Sequence, residues 1–307
     1  MAEQVKAKPR AELLQRYQEL SSEGQRKFSL GQVSEALKDC DAAIECAKAH
    51  GDPELVDRAI VNRIGIALEV DASQSDIVAL SKVLLRTSSR EVRFLAAYNL
   101  AWAYKGRRET ERAITYAKRA LSVAEDLGRS EWRASALNLL GLAYLSSSYF
   151  DEAVECFGAG LSLLPGKREK RYATILDNYG YCLVLQGAHR DGFKALLQSL
   201  RTLRRLKERW IETAPLISLC FAYLEIGKVR PALRHGLRAL KLAEEMADPS
   251  SIKAALYLLG ESAKQAGDAF AARRYFQRLQ ESYFPTAPDL IELLMVVDAR
   301  TMVNLKA

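Results

Sequence analysis

Histidine, proline and long apolar runs are what this sequence has least of, and each shortage excludes something. Three histidines occur, His50, His189 and His235, and none is spaced with a second His, Cys or carboxylate as metal ligands are. No glycine-rich phosphate loop, G-x-S-x-G elbow or kinase-like motif set appears. No metal or cofactor is therefore expected, and an enzyme is disfavoured. Carboxylates such as Glu152, Glu155 and Asp177 read as solvated faces or salt-bridge partners. The five cysteines, Cys40, Cys46, Cys156, Cys182 and Cys220, are odd in number and contain no C-x-x-C. They suit a reduced, cytoplasmic chain in which cysteine is a small apolar filler. No apolar run is long enough to span a bilayer, and no signal peptide is expected behind MAEQVKAKPR.

With eight prolines in 307 residues and 49% apolar content, the chain can devote most of its length to helices packed on helices. A phrase recurs along it: LLGLAYLSSSYFDEAVECF (139–157), NYGYCLVLQGAHRDGFKAL (178–196) and LLGESAKQAGDAFAARRYF (258–276). A small residue marks each copy, at Gly24, Gly65, Ala101, Gly141, Gly180, Cys220 and Gly260, in steps of 41, 36, 40, 39, 40 and 40 residues. Twelve residues on lie Ala36, Ile77, Ala113, Ala153, Gly192, Ala232 and Ala272. Two antiparallel helices cross tightly only where both lack bulk, so the paired small positions predict helix hairpins. Seven residues further come Ala43, Leu84, Ala120, Gly160, Ser199, Ala239 and Leu279, where each second helix should meet the next repeat. Gly31, Gly106, Gly187, Gly227 and Gly267 fit the turns within hairpins; Gly51-Asp52-Pro53, Gly128, Pro165-Gly166 and Asp248-Pro249 fit those between. The second copy departs, with Ile77 at a small position and Asp71–Ser75 in place of a turn glycine, and predicts a local irregularity.

This register of small residue, turn glycine and alanine resembles the tetratricopeptide repeat over roughly residues 17–285. The family's usual period is about 34 residues, so each helix here is longer by about a turn, as in kinesin light chains and bacterial receptors for peptide pheromones. The resemblance implies an all-α, right-handed solenoid of about seven helix pairs, with first helices lining a concave groove. It divides the chain into a lead-in (1–16), the repeats (17–285) and a capping helix (286–307). It also implies a protein-interaction scaffold that binds a peptide or helical segment, or alternatively a peptide- or ligand-sensing regulatory module.

In that family the groove is lined from the residue after each small position and those three before and four after it. Here these supply Tyr98, Trp102, Asn138, Leu142, Asp177, Tyr181, Ile217, Phe221 and Tyr257. The apolar majority suits a partner with apolar anchors and does not match the carboxylate clamp of chaperone-binding members. The same stripe also suits a packed core. Charge is concentrated elsewhere. Residues 187–241 hold twelve basic and four acidic residues, against a net charge of +7 for the whole chain. Lys194, Arg201, Arg204 and Arg205, and Arg230, Arg234, Arg238 and Lys241, form one-sided rows on two second helices, on the convex back. These are either an ordinary solvated face or a site for an acidic protein, nucleic acid or an anionic surface; no membrane insertion is expected. At the end of the chain, apolar residues spread around most of the helical wheel over 290–297. Ile291, Met295 and Val296 are thus candidates for self-association into a homodimer, the alternative being cover by the chain's own tail.

Overall fold

The computed structural model of the chain describes residues 9–68, 73–164, 169–298 and 305–306. Among those residues every regular element is a helix, with no strand. Seven hairpins follow in order: α1 (Arg10–Ser29) with α2 (Val33–His50), α3 (Pro53–Ala67) with α4 (Gln74–Arg86), and α5 (Arg90–Gly106) with α6 (Thr110–Asp126). Then come α7 (Ser130–Ser146) with α8 (Phe150–Ser162), α9 (Lys170–Leu185) with α10 (His189–Leu206), α11 (Thr213–Glu225) with α12 (Val229–Glu245), and α13 (Pro249–Gln265) with α14 (Ala269–Tyr283). A short α15 (Leu290–Val296) follows. The chain divides into two compact units, 1–140 and 141–307, the boundary falling within α7.

The small positions work as the spacing predicts. Ala36, Ala113, Ala153, Ala232 and Ala272 are all buried, as is the larger Ile77. In the second unit, a methyl group on Gly180 would lie 3.0 Å from the Gly192 carbonyl, so two backbones touch at that crossing. At the equivalent Gly141 the gap is filled instead by the Phe157 ring, 2.6 Å from where a Cβ would stand.

The hairpin turns share one C-terminal capping motif. In the first, Gly31 takes a left-handed φ of 79° and the Gln32 amide donates back to the Lys27 carbonyl at 3.0 Å, which satisfies carbonyls left over at the helix end. Gly187, Gly227 and Gly267 repeat it. The third and fourth hairpins depart from expectation. Gly106 is still helical, and the left-handed residues are Arg108 and Ser148, with φ of 60° and 61°. The left-handed position is fixed seven residues after the small residue, whatever side chain stands there.

In the first unit the irregular second hairpin is tied in by charge. Asp57, 2% exposed, accepts both Arg86 guanidinium contacts, and Arg63 reaches Asp41 at 3.1 Å and Asp76 at 3.5 Å. Ser73 and Asp76 form a capping box at the start of α4, while Asp71 and Ala72 lie outside the described residues. Glu91 on α5 receives Arg58 at 2.8 Å and Arg129 at 2.5 Å. The Arg58 hydrogen bond in particular holds its carboxyl below the usual carboxylate range.

In the second unit α15 is much shorter than a helix over 286–307. Val297 is extended (ψ 138°), and Lys264 Nζ on α13 donates to the Leu294 carbonyl at 2.6 Å and the Val297 carbonyl at 2.8 Å. A cation at a helix C-terminus is favourably placed, and this one ends α15 where it docks. Arg273 on α14 adds a two-armed contact to Glu292, at 2.5 and 2.9 Å.

Candidate functional site

In the second unit, α9 carries the chemically distinctive residues on one face. Asp177, Asn178 and Tyr181 are 2%, 6% and 0% exposed, and Tyr181 follows Asp177 by four residues and Asn178 by three, the spacings that bring helical side chains together. A buried carboxylate is costly unless compensated. Its partner is remote in sequence: Lys306 Nζ lies 2.5 Å from Asp177 Oδ2 and donates to Asn178 Oδ1 at 2.9 Å. The ammonium also stands 5.5 Å from the centre of the Tyr181 ring, within cation–π range. The Leu305 amide donates to Tyr181 Oη at 3.1 Å. Burial pushes the Tyr181 phenol well above its ordinary range, so its oxygen stays protonated and acts only through hydrogen bonds. Asp177 Oδ1 is buried with no hydrogen-bond partner among the described residues. Carboxylate, amide oxygen and aromatic face together make a receptor for one cation of ammonium or guanidinium type.

The other residues of the expected groove are placed as follows. Phe221 on α11, 2% exposed, packs its ring 5.2 Å from that of Tyr181. Ile217 on α11 and Tyr257 on α13 are buried, as is Leu142 on α7. In the first unit Asn138 is buried, while Tyr98 and Trp102 are half-buried. Tyr98 stacks on Phe94 at 5.7 Å and Lys105 lies over Trp102 at 5.7 Å. Asp177 is thus no solvated carboxylate. Asn178, Leu305 and Lys306 belong with the site but escaped the spacing argument; Lys306 and Asp177 are 129 residues apart, and no periodicity links them.

The basic rows lie on the other helices of their hairpins. Lys194, Arg201, Arg204 and Arg205 on α10, and Arg230, Arg234, Arg238 and Lys241 on α12, are all exposed. Glu212, 6% exposed, sits 3.4 Å from Arg204 and 4.0 Å from Arg238. Arg201, Arg205, Arg230 and Arg234 make no ion pair with another described residue. Between the rows, His235 stacks on Tyr223 at 5.4 Å. Burial, with Arg234, Arg204 and Arg238 adding repulsion, lowers its pKa to about 4. No disulfide joins the described cysteines, and burial pushes Cys182 and Cys220 up to about 12, which leaves them protonated fillers rather than nucleophiles. Among the described residues, no helix is long and apolar enough to cross a membrane. On α15, Ile291 and Met295 are half-buried and Leu294 is buried, while Leu293 and Val296 stay 56% and 84% exposed.

Comparison with known proteins bears on this fold. Family models described as tetratricopeptide repeat match residues 96–127 and 134–165, and a third match covers 254–285, corresponding to α5–α6, α7–α8 and α13–α14. The chain carries tetratricopeptide repeats at these places, within an all-α fold whose hairpins step at about 40 residues. No curated protein matches the sequence significantly. Among solved structures, it resembles a Rap protein complexed with competence and sporulation factor (12% identity, TM-score 0.74, 95% of this chain and 82% of that one). It also resembles aspartyl phosphate phosphatase F from Bacillus subtilis (10%, TM-score 0.63, 95% of each chain). A tetratricopeptide repeat protein from Parabacteroides merdae is similar as well (17%, TM-score 0.56, 94% and 100%). At such identities the likeness is one of fold. The repeats support a protein-interaction scaffold.

Proposed function

We propose that the chain binds a peptide segment on the first-helix face of its second unit, taking a lysine or arginine of that peptide at Asp177. The observation that carries this reading is the buried Asp177 carboxylate. Together with Asn178 and Tyr181 it forms a preorganised cation receptor on α9, flanked by the apolar Phe221. A buried acid is an expensive feature for a scaffold core, and recognition of a charged anchor gives it a purpose. Apolar neighbours supply contact area, and the carboxylate supplies specificity. The Rap protein of similar fold was solved with competence and sporulation factor bound, which supports ligand binding by a scaffold of this architecture.

Selection from a displayed random-peptide library tests it. Peptides retained by the chain should be enriched in lysine or arginine and should bind an Asp177→Asn variant at least about tenfold more weakly, the scale of losing one charge-assisted anchor. Retained peptides indifferent to Asp177→Asn would contradict the reading.

A second reading rests on the basic rows. Four exposed arginines without carboxylate partners support binding of an acidic macromolecule, nucleic acid included, through α10 and α12, separately from the peptide face.

A further inference from the structure

We propose that the segment at Leu305–Lys306 is a tethered ligand, which occupies the Asp177 subsite and must be displaced before an external peptide can bind there. The proposal rests on the peptide-binding reading and adds to it a built-in competitor. Four contacts carry it. Lys306 Nζ meets the Asp177 carboxylate at 2.5 Å and the Asn178 amide oxygen at 2.9 Å; its charge lies 5.5 Å from the Tyr181 ring; and the Leu305 amide meets Tyr181 Oη at 3.1 Å. The lysine uses side-chain charge and its neighbour uses backbone N–H. A bound peptide has the same two resources, and extended ligands are commonly held by both. Lys306 is itself 13% exposed at its side chain, so its ammonium has exchanged water for these partners.

The geometry before it points the same way. Lys264, paired at 2.8 Å with Glu261, caps α15 from α13, and Arg273 holds Glu292. The chain leaves Asp298 from a docked helix rather than from a free end. A ligand joined by a short tether acts at an effective concentration on the order of millimolar. An external peptide of ordinary affinity is therefore held off unless it is abundant or makes contacts the tether lacks. The site is thereby a threshold device, closed at low ligand and open at high.

The test uses the full chain, the full chain carrying Lys306→Glu, and a second variant, Lys306→Ala. The probe is a labelled synthetic peptide of residues 300–307, RTMVNLKA, followed by fluorescence polarisation, with hydrogen exchange read over 299–307. In the unaltered chain exchange should be slowed relative to both variants, because the Leu305 amide is bonded. The probe should bind Lys306→Glu and Lys306→Ala at least about tenfold more tightly than the unaltered chain, and adding Asp177→Asn should abolish that gain. Equal probe binding by all three chains, no binding by any, or equal exchange over 299–307 would overturn the proposal. Library-selected peptides that bind all three chains equally, yet lose affinity with Asp177→Asn, would remove the tether while leaving the peptide-binding reading intact.

Discussion

The Phe157 ring occupies the space where Gly141 would carry a side chain: its Cε1 atom lies 2.6 Å from an ideal Cβ position. Phe157 is completely buried and cannot swing away. Phe276 stands in the same relation to Gly260, three repeats on. Gly141→Ala should therefore destabilise the fold by about 1–3 kcal/mol through overpacking, despite the better helix propensity of alanine. Gly158, on α8, has only Tyr179 at 4.0 Å, and Gly158→Ala should stabilise by about 0.5–1 kcal/mol. Urea denaturation of the two variants checks the pair; a Gly141→Ala protein as stable as Gly158→Ala would refute this account of the crossing.

Arg108 and Ser148 hold left-handed backbone at the place where glycine stands in four other hairpins. A side chain there costs about 1 kcal/mol, offset in part by the greater freedom of glycine in the unfolded chain. Arg108→Gly and Ser148→Gly should each raise the urea midpoint, with a combined gain of about 1 kcal/mol. A lowered midpoint in both would contradict the shared capping motif.

His235 gives the fold an acid-side weakness. Its folded pKa is about 4, below the ordinary value of about 6.5. Between those values the unfolded chain binds more protons than the folded one, so stability falls as pH drops from about 6.5 to about 4. Above pH 6.5 the residue contributes no pH dependence. Thermal melts should show Tm declining through that window, and His235→Gln should flatten the decline. An unchanged slope in the variant would rule His235 out as a source.

The basic rows make a separable prediction. Reversing Arg201, Arg205, Arg230 and Arg234 to Glu should eliminate retention on heparin resin while leaving the helical content unchanged. Retention by the unaltered chain should weaken steeply with salt, as backbone-type binding does. An unaltered chain that flows through at low salt would leave the rows as a solvated surface.

Self-association through α15 is checked by a direct measurement. Val296 and Leu293 are largely exposed, and we propose that they meet a second copy. Sedimentation should show a dimer that Met295→Glu dissociates; a monomer at all concentrations would sink the idea.

Much of this architecture was legible because repeats repeat. A step near 40 residues placed all seven hairpins, since close helix crossing demands small residues at fixed intervals. What escaped was set by other physics. Gly106 looked like a turn residue, but the turn belongs to Arg108, since hairpin geometry fixes the left-handed position even where glycine is missing. The apolar run from Leu290 read as the start of a long helix, yet Lys264 caps it at Val297. Asp177 fell at a groove position by register, but its partner Lys306 lies 129 residues away, a pairing that tertiary structure alone creates.

The central claim, that the first-helix face around Asp177 is the binding face, is tested most directly by a hydrogen-exchange footprint of a library-selected peptide on the full chain. The account predicts slowed exchange on α9 and α11, centred on residues 173–184 and 216–224, lost when Asp177→Asn is introduced. Slowing confined to α10 and α12, with α9 and α11 unchanged, would contradict it and move the site to the basic rows.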